Sequence, residues 1–191
     1  MNWLECLLIV AGISLDIFAA MECRGALVPK VDKRQLSFNC IIIVLWQLLV
    51  LYMGNFVAIM SWTDEHKRSG SHLGNILATA ILLCLGTRLF LKAKKNEWIH
   101  ERRQEHFGML PFIRMIAGTG VYTGLAGVAL GLLGSDVPTL LMLIILLNVG
   151  FVILGMYTGY HFGFIHKAKA YWIGAILLWI AGIENIVKYF F

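Results

Sequence analysis

Residues 3–26 read WLECLLIVAGISLDIFAAMECRGA, an apolar run with one acid, Asp16, near its centre. A helix rises about 1.5 Å per residue, so this stretch is long enough to cross the roughly 30 Å hydrocarbon core of a bilayer. An ionised carboxylate at that depth costs about 2.5–3.5 kcal/mol even on the mildest scale, so it marks a cavity, a partner or an ion. The run has no basic n-region, and it continues past the length of a signal peptide. It is therefore read as a retained transmembrane helix.

Five similar runs follow, approximately Phe38 to Trp62, Leu73 to Leu91, Phe112 to Leu133, Pro138 to Tyr160 and Ala170 to Val187. Only 14% of the 191 residues are charged and 59% are hydrophobic, with a mean hydropathy of +0.77. That balance excludes a soluble domain. So little chain remains between the runs that a soluble catalytic domain is excluded too. The helices themselves carry no nucleophile–base pair and no His-rich motif, so an enzyme is not expected. The fold class is all-α integral membrane, with six transmembrane helices.

The net charge of +5 would suggest nucleic acid in a soluble protein, but here it is spent on topology. Twelve of the sixteen Lys and Arg lie in or beside the loops after helices 1, 3 and 5; Lys67, Arg68 and Lys188 lie on the other side, and Arg88 is inside helix 3. The positive-inside rule puts both termini outside. Cys6, Cys23, Cys40 and Cys84 show no paired spacing and are read as packing residues.

Three helices followed by three make an odd-numbered repeat, so the second half is expected to be inverted. Residues 1–91 form the first repeat, 92–110 a charged cytoplasmic linker and 111–191 the second repeat. Ala11-Gly12 aligns with Ala117-Gly118 and Gly25 with Gly131 at an offset of 106; Gln47 aligns with Asn148 and Gly54 with Gly155 at 101; Leu85-Gly86 falls on Ala181-Gly182 at 96. The linker carries His100, Glu101 and His106, which are read as part of a solvated segment rather than a metal site. Gly120, Gly124, Gly127 and Gly131, and also Gly155, Gly159 and Gly163, mark faces where helices pack closely.

Four polar residues fall near mid-membrane: Asp16, Gln47, Tyr122 and Asn148, from helices 1, 2, 4 and 5. Transporters built from inverted repeats place their sites at that depth. Carboxylate, amide and hydroxyl oxygens suit a hard divalent cation. The candidate metal ligands are Asp16, Gln47, Asn148, Ser14, Tyr122 and, toward the cytoplasmic end, Glu22. Thr119 and Thr123 offer further oxygens, and Met21 a thioether that would favour a softer transition ion. Arg88 is expected to snorkel to the inner surface, and Glu184 sits too near the outer end to meet it.

Ala11-Gly12-Ile13-Ser14-Leu15-Asp16-Ile17-Phe18-Ala19-Ala20, followed by Arg24-Gly25-Ala26, resembles the first-helix signature of the bacterial manganese efflux pumps (MntP-like), relatives of the LysE-type exporters. The length, helix number and charged central loop are similar as well. The resemblance implies a multi-pass exporter of manganese in the bacterial cytoplasmic (inner) membrane, with Asp16 as a central site residue and no resident cofactor. In that family a second Asp motif opens helix 4 and helix 2 carries a mid-membrane Glu. Here Tyr122 and Gln47 stand in those places, so neither carboxylate role carries over. A dehydrated divalent cation seeks about two negative charges, and this chain supplies one at mid-depth. The balance would come from Glu22, water or a second subunit in a homodimer. The competing expectations are a LysE-like exporter of an amino acid or other small solute, and a membrane scaffold that does not transport.

Overall fold

The computed structural model describes residues 3–27, 33–61, 70–94, 109–134, 137–163 and 165–190. They form α1 (Trp3–Leu27), α2 (Lys33–Ser61), α3 (Gly70–Lys94), α4 (Met109–Leu132), α5 (Val137–Phe162) and α6 (Lys167–Phe190), with no strand among the described residues. Each of the six is long and apolar enough to cross a membrane. Residues 95–108 of the linker, with His100, Glu101 and His106, lie outside the described residues; its ends continue α3 and begin α4.

Apolar residues face outward here because the solvent is lipid. Leu45, Leu49, Met142, Leu146, Ile173 and Ile180 are exposed, while Ser14, Gln47, Thr123 and Asn148 are fully buried. Several helices run past the apolar segments, as α2 does from Lys33 and α3 to Lys94. The helical backbone hydrogen bonds continue through these flanks. Pro111 and Pro138 fall in first turns, where no intrahelical donor is lost. At the other ends, Gly134 (φ 65°) and Gly163 (φ 68°) take the left-handed conformation that closes α4 and α5. The Gly134 amide bonds back to the Gly131 carbonyl at 3.1 Å, and the Gly163 amide to the Gly159 carbonyl at 2.9 Å.

The most extensive packing joins α1 to α5, α2 to α4 and α3 to α6, followed by α1 to α6. Every extensive pairing joins a helix before the linker to one after it. Neither group of three therefore has a core of its own among the described residues.

The first two pairings are tight because backbone meets backbone at glycine. A Cβ on Gly155 would lie 2.6 Å from the Phe18 carbonyl oxygen and 3.3 Å from the Glu22 nitrogen. A Cβ on Gly54 would collide in the same way with the Gly124 carbonyl and the Val128 nitrogen. Gly25 meets the Met156 backbone as Gly131 meets that of Asn55. The α1–α5 and α2–α4 contacts thus correspond residue for residue at offsets of 106 and 101. In α3–α6, Gly86 rests on Trp179 and Gly182 on Leu83, which correspond at 96.

Candidate functional site

Asp16 faces α3 and is 4% exposed. Lys92 Nζ donates to Asp16 Oδ1 at 2.8 Å, and Arg88 Nη1 stands 3.6 Å from Oδ2. Arg88 and Lys92 are four residues apart on α3 and so share one face. Helical side chains lean toward the N-terminus of their own helix. In α3 that lean carries both cationic heads away from the linker end and toward the acid.

One expectation is corrected here: Arg88 turns into the bundle instead of snorkelling out, and with Lys92 it pairs with Asp16. The physical reason is that a buried carboxylate on the facing helix competes with the headgroup layer for the cation. Coulombic attraction in low dielectric is strong, though desolvation offsets much of it.

The Arg88 guanidinium also sits over the ring of Tyr122, on α4. Lys92 Nζ lies 5.8 Å from the Tyr122 ring centroid and 5.3 Å from that of Tyr171, on α6. The aromatic faces add cation–π attraction to the ion pair. By the 106 offset Tyr122 is the counterpart of Asp16, so Arg88 lies between the two equivalent positions. The space left beside Asp16, Arg88 and Tyr122, closed by Leu85 and Leu178, is about 10 Å³. That is roughly the room needed by one water.

The other sequence candidates lie elsewhere around the bundle. Ser14 Oγ donates to Asn148 Oδ1 at 2.8 Å, which clips α1 to α5. Gln47 Nε2 donates to Thr119 Oγ1 at 3.3 Å, which clips α2 to α4. Gln47 and Asn148 are equivalent in the repeat, and Thr119 supplies its hydroxyl one position before the counterpart of Ser14. Thr119 Oγ1 itself donates to the Ile116 carbonyl at 3.0 Å. Gln47 Oε1 and Asn148 Nδ2 are fully buried without a hydrogen-bond partner.

Ser14 and Asp16, two residues apart, point about 200° from one another around the helix axis. The structure therefore places the Ser14–Asn148 clip on one side of α1 and the acid on the other. Asp16 and Tyr122 are brought together, with Arg88 between them. Glu22 is separate again: its Oε1 accepts the His166 backbone N–H at 2.8 Å, at the N-terminus of α6. A carboxylate is favourable there because it faces the positive end of the helix dipole. The Glu22 Oε2 atom is buried and has no partner. Among the described residues no group of three or more His, Cys, Asp or Glu comes together.

Arg88, Lys92 and Tyr171 were not among the sequence candidates. The available signal was the spacing: two cations four residues apart at the end of an apolar helix, facing a bundle that holds an acid.

A family model described as "Putative manganese efflux pump" matches residues 30–186. That span begins after α1, so Asp16 lies outside it. A relative from Bacteroides thetaiotaomicron, described in the same words with the name MntP, is 27% identical over 202 residues, covering all of this chain and 99% of its own. One from Nitratidesulfovibrio vulgaris, bearing the same description, is 26% identical over 164 residues, covering 83% of this chain and 77% of its own. No solved structure matches the chain. With six membrane-spanning helices and a family match over most of its length, the chain belongs to the manganese efflux pump (MntP) family.

Proposed function

We propose that the protein exports a divalent cation, manganese first among them, across the bacterial cytoplasmic membrane by alternating access. Asp16 holds the ion. Tyr122 faces it, and Gln47, Asn148 and Ser14 supply neutral oxygens once the helices rearrange. Glu22 serves as an acid at the linker-side entrance. The linker lies in the cytoplasm and both termini outside. Residues 1–91 and 111–191 are inverted repeats, supported by the paired glycine contacts described above.

One observation carries the reading. Gly12 and Gly118 are equivalent in the repeat, yet their surroundings differ. Gly12 is buried against α6, where a Cβ would lie 2.8 Å from Leu178 and 3.3 Å from the Gly174 carbonyl. Gly118 is exposed, with nothing within 4 Å of the same atom. The α1–α6 joint is closed and the α4–α3 joint is open, on opposite sides of Asp16. Exchanging the two arrangements closes the linker side and opens the other, which is what alternating access needs. The moving units are then the mixed pairs α1–α5 and α2–α4, turning against the α3–α6 pair.

The test is growth of an efflux-deficient bacterium in excess manganese. The chain restores growth and Asp16→Ala does not; unchanged sensitivity despite good membrane expression rejects the reading. The alternation has its own check. With the four native cysteines replaced, Gly118→Cys with Leu82→Cys should cross-link and block export. Export that survives complete cross-linking rejects the exchange of joints.

The mixed-sign cluster of Asp16, Arg88 and Lys92 favours a second reading, export of a zwitterionic solute whose amine meets the acid and whose carboxylate meets the cations. Efflux of labelled amino acids from loaded vesicles, without manganese efflux, selects it.

A further inference from the structure

We infer that Lys92 is a resident cation of the transport site: it neutralises Asp16 when the site is empty and must leave the carboxylate for a divalent ion to bind. The inference rests on the proposed function and adds a competitor built into the chain. As the side chains stand, the acid carries two cations, so an arriving divalent ion meets a net positive site and is repelled. The space of about 10 Å³ beside Asp16 is too small for an ion with any of its water. The site as built is therefore an occupied one, with a protein ammonium in the ion's place.

Two features distinguish Lys92 from Arg88. Arg88 is set deeper in α3, is stacked on Tyr122, and stands off the acid at 3.6 Å. Lys92 makes the 2.8 Å contact, is in the last turn of α3 and is about one-third exposed. It lies at the linker end of the α3–α4 joint, the joint that Gly118 leaves open. A flexible four-carbon stem there has somewhere to go. Lys92 is thus the tether that releases, and Arg88 the fixed charge that keeps the emptied pocket from collapsing onto Tyr122.

The arrangement also suits an exporter that must return empty. With Arg88 standing off at 3.6 Å, an empty site without Lys92 would leave Asp16 Oδ1 with no donor in a low-dielectric centre, which is costly; the 2.8 Å contact from Lys92 satisfies it. Releasing Lys92 to the ion and recovering it afterwards lets both halves of the cycle pass with the acid compensated. Lys92→Gln should therefore bind more tightly and return more slowly.

The experiment uses the full chain in detergent, with peptide-resolved labelling by an amine-reactive reagent. In the wild type the Lys92 amine is protected, and added Mn²⁺ raises its labelling rate by about tenfold, because the competing ion frees it. Asp16→Asn unmasks Lys92 without any metal. Mn²⁺ binding, followed by loss of the free-ion paramagnetic signal, tightens by about tenfold in Lys92→Gln, because the fraction of open sites rises. In vesicles that variant keeps manganese exchange but loses net efflux. If Lys92 labels equally in the wild type and Asp16→Asn, there is no tether and the inference is wrong. If Asp16→Asn unmasks Lys92 but Mn²⁺ does not, while the growth rescue succeeds, displacement is overturned and the exporter reading stands. If the growth rescue fails as well, the manganese reading falls and takes the inference with it.

Discussion

The α1–α5 and α2–α4 pairs and the centre of the bundle share the same residue offsets and use them differently. Along α1–α5 and α2–α4 the two copies agree in detail: Gly155 over Phe18 matches Gly54 over Gly124, and the Ser14–Asn148 clip matches Thr119–Gln47. At the centre, Gly12 of α1 lies against α6 while nothing packs on Gly118 of α4, and Asp16 and Tyr122, 106 residues apart, differ in chemistry with Arg88 between them. Contacts made by backbone on glycine leave no slack, so the paired helices behave as stiff units. The joints beside Asp16 are where the contacts at corresponding positions differ. The correspondence is kept where backbone packs on glycine and broken where the charges lie.

The largest effect should come from the centre. Asp16→Ala leaves Arg88 and Lys92 without their acid; removing one member of a fully buried pair costs about 3–5 kcal/mol, and the partial exposure of both cations puts the loss toward the lower end of that range. Unfolding in detergent measures it, and adding Lys92→Met to that variant should restore a large part. A loss no greater than that of an exposed pair would mean that water already reaches the cluster.

The glycines test the contrast directly. Gly155→Ala and Gly54→Ala each force a methyl into a backbone, at about 1–3 kcal/mol apiece, and the two should agree. Gly118→Ala should change stability by no more than about 0.5 kcal/mol, because nothing is packed there. Unequal costs at Gly155 and Gly54 would break the equivalence of the two pairs; a large cost at Gly118 would show that the open joint is closed in the membrane.

The smallest effects belong to the clips. Ser14→Ala and Thr119→Val each remove one interhelical hydrogen bond, worth about 0.6 kcal/mol in a bilayer. Equal small losses in detergent unfolding support paired structural roles. A strong loss of manganese export with unchanged stability would instead mark the hydroxyl concerned as a ligand.

Much of this molecule is legible along the chain. Six apolar runs give six spans, because a bilayer accepts only helices of that length. The glycine and amide offsets align residues that make corresponding contacts, and the acid near the middle of α1 marks the centre. The α5–α6 turn shows the limit: Glu22 appears as an entrance acid, yet it also caps the first turn of α6 through His166. Nothing near residue 22 in the chain announces that partner, 144 positions away.

Amino-acid order alone determined which segments are long and apolar enough to cross a membrane, where each charge falls along its own helix, and the residue offsets that align the last three helices with the first three. Hydropathy, length and spacing are local properties, so they survive without a fold. Only the tertiary structure decided that the halves interlock, that α1 turns Asp16 toward α3 and Ser14 toward α5, and that Arg88 and Lys92 reach inward to the acid. Those outcomes depend on which face of each helix meets which neighbour. That choice is made by close packing and by the pairing of buried charge, neither of which one helix can satisfy by itself.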